Sequence, residues 1–125
     1  MLATTDAFSG FSVDDQAAAL AFYRDTLGVD VEETPMGLRL RLPGTTVFVY
    51  EKPDHRPATF TVLNLEVPDI DAAVAALAAA GVELQRYPGM PQDEAGILRG
   101  RAAGMGPDIA WFTDPAGNVL SVLHG

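Results

Sequence analysis

Cysteine is absent from the 125 residues, and with it go disulfides, thiolate metal ligands and thiol nucleophiles. Histidine occurs only as His55 and His124, which leaves little imidazole for a metal site or a general base. Both are expected at the surface, the first in a Pro-bracketed linker and the second beside the terminus. Basic residues are scarce too: 8 Lys+Arg stand against 17 Asp+Glu, a formal charge of −9. Phosphate backbones and anionic lipid both need Lys and Arg gathered on one surface, so neither nucleic acid nor a membrane is an expected partner. Long apolar runs are missing as well. The longest, Val74 to Val82, is about half of the ~20 residues that span a bilayer. Met1-Leu2-Ala3-Thr4-Thr5-Asp6 has neither the basic nor the apolar region of a signal peptide, and a cytoplasmic location is expected.

What is present is 48% hydrophobic residues in a length typical of a single domain. Two segments carry helical periodicity. Asp14-Asp15 precedes Gln16 to Leu27, with Leu20, Phe22, Tyr23 and Leu27 on one face and Gly28 as a stop. The second helix opens at Asp69, places Ile70, Val74, Leu77 and Ala78 on one face, and stops at Gly81. Strand-like runs read at Phe8–Val13, Val29–Glu33, Gly37–Leu42, Thr46–Glu51, Phe60–Val67, Val82–Arg86, Pro107–Phe112 and Val119–Leu123. Pro43-Gly44 and Asp114-Pro115-Ala116-Gly117-Asn118 supply turns, and Asp114 is expected to organise its own.

The order strand, helix, three strands occurs twice. Val13-Asp14-Asp15 aligns with Val67-Pro68-Asp69 at an offset of 54, and Gly44 with Gly117 at 73. Such a repeat means two βαβββ modules. The first covers about 7–51, a linker about 52–58, and the second about 59–124, together one α+β domain. The stretch 87–106, rich in Gly and Pro, is either a disordered loop or a lid, with Asp93-Glu94 as a solvated charge pair.

Val13-x-Asp15 leading into Ala21-Phe22-Tyr23-Arg24-Asp25-Thr26-Leu27-Gly28 resembles the vicinal oxygen chelate superfamily, which includes glyoxalases, bleomycin-resistance proteins and extradiol dioxygenases. Leu65-Glu66-Val67-Pro68-Asp69-Ile70-Asp71 and Phe112-x-Asp114-Pro115-x-Gly117-Asn118 extend the likeness to about residues 7–123. The resemblance implies an open cup of eight strands with helices on its convex side, enclosing a ligand. It also implies a divalent metal on four His or Glu side chains at set positions. Counted back from Asp15 and Asp69, forward from Asp114, and across the repeat, those positions hold Phe8, Val62, Ser121 and Phe48. None is a useful metal ligand, so no metal and no other cofactor is expected.

What the positions offer instead is an apolar floor, shared by alternation with Tyr50 and Asn64. Leu38-Arg39-Leu40-Arg41-Leu42 sends three leucines to one face and two arginines to the other. Arg39 and Arg41 suit a carboxylate, phosphate, sulfate or aromatic ring on a ligand, or else pair with nearby acids. Met90 and Met105, flanking the Gly-rich loop, fit a lid over the ligand, ordinary packing or a dimer contact. Trp111 is expected to be buried, its face left open.

The residues therefore point to a metal-independent binding protein for an aromatic or amphipathic small molecule. Its expected ligand contacts are Phe8, Arg39, Arg41, Phe48, Tyr50, Val62, Asn64, Met90, Met105, Trp111 and Ser121. Two alternatives stand beside it: a metal-free lyase or isomerase, for which no acid–base pair is identified, and a domain whose cup is filled by its own side chains. A homodimer is what the resemblance implies.

Overall fold

The computed structural model describes residues Met1–Gly125 and divides into two compact units, Met1–Pro57 and Ala58–Gly125. The first unit runs β1 (Ser9–Val13), α1 (Gln16–Leu20), β2 (Asp30–Thr34), β3 (Gly37–Leu42) and β4 (Thr45–Glu51). The second runs β5 (Thr61–Glu66), α2 (Ile70–Ala79), β6 (Leu98–Arg99), β7 (Asp108–Thr113) and β8 (Val119–His124). Each makes a four-stranded sheet of the same topology, β1-β4-β3-β2 and β5-β8-β7-β6. In both, the first strand lies parallel to the last and the other neighbours are antiparallel. The fold is α+β, with two similar βαβββ modules. No helix is long and apolar enough to cross a membrane.

The repeat holds at atomic detail where the helices begin. Asp15 and Asp69 are both N-caps in extended backbone, and the side-chain Oδ1 of each accepts the amide three residues on, at 3.1 Å. Each satisfies a donor that the first helical turn leaves orphaned. The helices then diverge. Beyond Leu20 the first continues not as α-helix but as a π-helical segment, Ala21–Thr26. The Leu27 amide donates to the Phe22 carbonyl and the Val29 amide to that of Tyr23. The wider turn sets Phe22 edge-on against Tyr23, with ring centroids 5.1 Å apart. Tyr23 also meets Phe11 of β1 and is fully buried, which stabilises the packing by roughly 1.5–3 kcal/mol. In α2 the buried stripe is Ile70 and Leu77 with Ala73 and Val74 half-buried, while Ala78, expected on it, is exposed.

Strand alternation sorts the first sheet into two faces. Val31, Leu38, Leu40, Val47 and Val49 are buried. Glu32, Arg39, Arg41, Phe48 and Tyr50 alternate with them on the other face. In the second sheet Ala110, Phe112, Leu120 and Val122 are buried, and Trp111 alternates with the first two.

The expected strand Val82–Arg86 does not form; Gln85 makes one isolated bridge to Trp111. The side chain of Gln92 takes up main-chain groups around that bridge. Its Nε2 donates to the Gln85 and Gly96 carbonyls at 2.9 and 2.8 Å, and its Oε1 accepts the Tyr87 amide at 2.9 Å. The Gln85 carbonyl, which a strand partner would have satisfied, is taken by an amide side chain. Leu98–Arg99, not expected as a strand, pairs with Ile109 and Asp108 on the same edge of β7.

Candidate ligand-binding site

The row across the centre of the first sheet is Gly10, Phe48, Arg39 and Glu32, each directly opposite the next. Gly10 brings no side chain to this row, and a Cβ there would lie 3.2 Å from the Phe48 carbonyl oxygen. The Phe48 ring stacks on Tyr50 at 6.1 Å with planes 19° apart. Phe48 and Arg39 of this row line a cavity of about 830 Å³, together with Phe8, Thr34, Met36 and Asp6, among others. Phe8 is 68% and Met36 78% exposed, so the cavity presents large apolar side chains to solvent. The β2–β3 turn places Met36 there. Thr34 Oγ1 accepts the Met36 and Gly37 amides at 3.2 and 3.1 Å and donates to the Gly37 carbonyl.

Arg39 and Arg41 stand opposite the leucines, as the alternation predicts. Both are also paired with a nearby acid: Arg39 Nη1 donates to Glu32 Oε2 at 2.9 Å, and Arg41 Nη2 donates to the same oxygen. The Arg39 hydrogen bond, joined by both guanidinium charges and the Arg41 hydrogen bond, outweighs the opposing effect of burial and holds the Glu32 carboxyl below the usual glutamate range. Arg39 lines the cavity and Arg41 does not.

The equivalent row of the second sheet is Asn64, Ser121 and Trp111. Ser121 Oγ donates to Asn64 Oδ1 at 2.6 Å and Ser121 is fully buried. Trp111 packs edge-on against Tyr87 at 5.5 Å, and burial pushes the Tyr87 hydroxyl above its ordinary pKa. Trp111 is half-buried, not buried as expected, because its alternation places it on the face away from Ala110 and Phe112. Val62 sits at an irregularity where β5 passes from Thr61 opposite Val119 to Leu63 opposite Leu120. It therefore has no direct partner on β8, and strict alternation from Asn64 does not extend to it.

Met90 and Met105 are exposed, at 38% and 83%, and neither lines the first module's cavity. Their loop is neither unstructured nor held by a solvated charge pair. Asp93 is half-buried and organises it: Oδ1 accepts the Ala95 and Ile97 amides, and Oδ2 meets Arg99 Nε at 3.0 Å. Arg99 continues to Asp71 of α2 at 2.7 Å, tying the loop to the helix. Burial acts to raise the Asp93 pKa, but the Ile97 amide, Arg99 and the Ala95 amide outweigh it and lower the value.

Asp114 organises its turn as expected. It is buried, and its Oδ1 accepts the Ala116 and Asn118 amides while Oδ2 accepts Asn118 Nδ2. The histidines are not free surface residues. His55 Nδ1 is hydrogen-bonded to Ser12 Oγ at 2.7 Å, and His124 Nδ1 donates to the Val67 carbonyl at 2.9 Å. Both are half-buried.

A divalent metal does not fit the donor chemistry of the four positions: two phenyl rings, an isopropyl group and a hydroxyl engaged with Asn64. No group of three or more His, Asp or Glu is arranged to hold one elsewhere. Of the residues named from sequence, Phe8, Arg39 and Phe48 come together at the cavity, with Arg41 and Tyr50 on the same sheet face. Sequence reasoning missed Met36, Thr34 and Asp6 at its edge, and Tyr87 against Trp111. It also missed Glu32 as the shared partner of both arginines; pairing Asp30–Thr34 with Gly37–Leu42 through a short turn would have set Glu32 opposite Arg39.

The same architecture recurs in solved proteins. An antibiotic-binding protein, TnmS3 from Streptomyces sp. CB03234, is 25% identical with a TM-score of 0.68, over 99% of this chain and 98% of its own. A glyoxalase/bleomycin resistance protein/dioxygenase superfamily member from Sphaerobacter thermophilus DSM 20745 is 26% identical with a TM-score of 0.69, over 99% and 100%. The fosfomycin resistance protein FosX from Listeria monocytogenes shares the fold at a TM-score of 0.70 and 13% identity, over 99% and 95%. No protein of curated function matches the sequence. The Glyoxalase family profile matches residues 6–122, nearly the full length of both modules, and the chain belongs to the glyoxalase/bleomycin resistance protein/dioxygenase superfamily.

Proposed function

We propose that the protein binds a small aromatic or amphipathic molecule without a metal and withholds it from solution, rather than transforming it. The observation that carries this reading is the cavity of about 830 Å³ over Phe48, with Phe8 and Met36 at its edge and Arg39 as its cationic group. Small-molecule sites span about 300–1,000 Å³ and combine mostly apolar walls with a few polar groups. The two ionisable side chains in its lining are Arg39 and Asp6. Asp6 Oδ1 accepts the neighbouring Ala7 amide, and Arg39 is held by Glu32, so the lining offers no general-acid and general-base pair. The likeness to an antibiotic-binding protein over almost the whole chain points the same way. The protein is read as a cytoplasmic homodimer, which sedimentation at micromolar concentration would check against a monomer of 13.2 kDa.

Calorimetric titration with planar antibiotics, aromatic acids and quinones tests the reading. Saturable binding with a Kd of roughly micromolar or tighter is expected for at least one class, and Phe48→Ala should weaken it by about tenfold or more through lost apolar contact. Failure of every class to bind would overturn it. Metal analysis of the purified protein should find less than one equivalent of Ni, Zn, Fe or Mn, and a tightly held equivalent would overturn the metal-free part.

A further inference from the structure

The geometry points to a single acidic group on the cavity's ligand, read by Arg39 in the lining, with Glu32, which Arg39 shares with Arg41 just outside the lining, as the carboxylate that it displaces. This rests on the cavity binding an organic molecule at all. Arg39 and Arg41 each spend one hydrogen bond, and both spend it on the same Glu32 oxygen. A guanidinium carries five N–H donors in a fixed fork, so most of each fork is left for another acceptor. The three side chains are also accessible, 44%, 53% and 35% exposed for Arg39, Arg41 and Glu32. Exposed ion pairs contribute little to stability. An oxyanion that brings apolar area with it can therefore exchange for Glu32 at small cost.

The register supplies the length of the ligand. Arg39 lies directly across from Phe48, and neighbouring strands are about 4.8 Å apart. An aryl ring resting on Phe48 would carry a substituent on its edge to the Arg39 guanidinium, one strand away. The other charges on this face limit the head to one negative charge. Asp6 is in the cavity lining, and Asp30 lies opposite Arg41 on the Glu32 strand. The chain as a whole carries −9. A dianion would meet these carboxylates, whereas an aryl monocarboxylate replaces Glu32 charge for charge.

Four probes and three proteins test this. The probes are 2-naphthoate, its neutral isostere 2-naphthamide, 2-naphthyl phosphate and acetate. The proteins are the native chain, Arg39→Gln and Glu32→Gln, each checked for native circular dichroism. The native chain should bind naphthoate about tenfold tighter than naphthamide and acetate not measurably. Arg39→Gln should remove the preference by weakening naphthoate alone. Glu32→Gln should tighten naphthoate several-fold, because it frees both forks, and leave naphthamide unchanged. Equal binding of acid and amide, with no differential effect of either substitution, would overturn the inference while leaving a binding cavity in place. Tighter binding of naphthyl phosphate than naphthoate would overturn the single-charge assignment. No binding of any naphthyl probe would overturn both the inference and the cavity reading beneath it.

Discussion

Replacing Gly37 by alanine tests whether the cavity floor is fixed by the backbone under Phe48. Gly37 opens β3 with φ at +154°, where side-chain-bearing residues are rare. A Cβ there would lie 2.5 Å from the Val49 carbonyl oxygen, 2.9 Å from Phe48 Cζ and 3.2 Å from Tyr50 Cα. The Phe48 ring edge could swing away. The Val49 carbonyl cannot, because Val49 is in the β4 backbone opposite Leu38. The substitution therefore displaces both the ring and the strand. An unfavourable backbone angle costs roughly 1–3 kcal/mol and overpacking roughly 1–3 kcal/mol. Since one relaxation relieves part of each, a loss of about 2–5 kcal/mol is expected.

Urea unfolding followed by far-UV circular dichroism would show this as a midpoint lowered by about 1–2.5 M at a slope of about 2 kcal/mol/M. Gly28→Ala is the control. Gly28 also has positive φ, at +72°, but a Cβ there meets nothing within 4 Å. It should lose only about 1–2 kcal/mol from the left-handed backbone. Ligand affinity, measured well below either midpoint, should fall in Gly37→Ala and hold in Gly28→Ala. Equal losses of stability and affinity in the two variants would refute the reasoning, since the Val49 and Phe48 contacts would then cost nothing.

Asp114→Ala should cost about 3–5 kcal/mol, because it strips acceptors from the Ala116 and Asn118 amides and from the buried Asn118 side chain; a thermal-unfolding loss below about 1 kcal/mol would contradict that. Asp93→Ala should make the stretch 87–106 roughly 10–100-fold more susceptible to limited proteolysis without abolishing the fold, and an unchanged cleavage rate would show that Gln92 and Arg86, whose guanidinium donates to the Asp93 and Glu94 carbonyls, hold the loop unaided. For Glu32 the sign follows from its lowered pKa: the pairing stabilises fully above the unfolded-state value and is lost as pH falls through the folded-state one. A carbon-detected NMR titration should therefore give a Glu32 midpoint below the ordinary 4.5 that moves back up in Arg39→Gln; a native midpoint at or above 4.5 would contradict the pairing.

The elements that sequence periodicity located best are those whose partners lie close in the chain. Gly37–Leu42 alternates strictly, is followed by a two-residue turn, and forms with the expected bounds. Asp15 and Asp69 are caps because a short carboxylate next to exposed amides has a local partner. Elements set by distant groups were not legible. Nothing in Ala21–Thr26 distinguishes a π-helical segment from a continued α-helix, since the same side chains repeat on one face in either. Val82–Arg86 alternates like a strand, yet its Val82 amide goes to Leu77 of α2 and its Gln85 carbonyl to the side chain of Gln92, whose amide mimics a peptide group. Trp111 could not be assigned a face until its register with Ser121 was known.

The internal repeat shows why the site was only partly readable. Its offset of 54 carries Gly10 to Asn64 and its offset of 73 carries Phe48 to Ser121, and both pairs occupy matching places in their sheets. Arg39 and Trp111 complete the two rows. The backbone plan of the floor was therefore available from counting alone. What differs is what stands in each row. In the second, Asn64 reaches Ser121 at 2.6 Å and Tyr87 covers the edge of Trp111, so the side chains satisfy one another. In the first, Gly10 contributes nothing above the backbone and Arg39 turns to Glu32 instead of Phe48. The Phe48 ring stacks on Tyr50 and lines the cavity. Two modules of one topology thus differ in kind at the same position: the hydrogen-bonded pair Asn64 and Ser121 of the second is a glycine opposite a phenylalanine in the first.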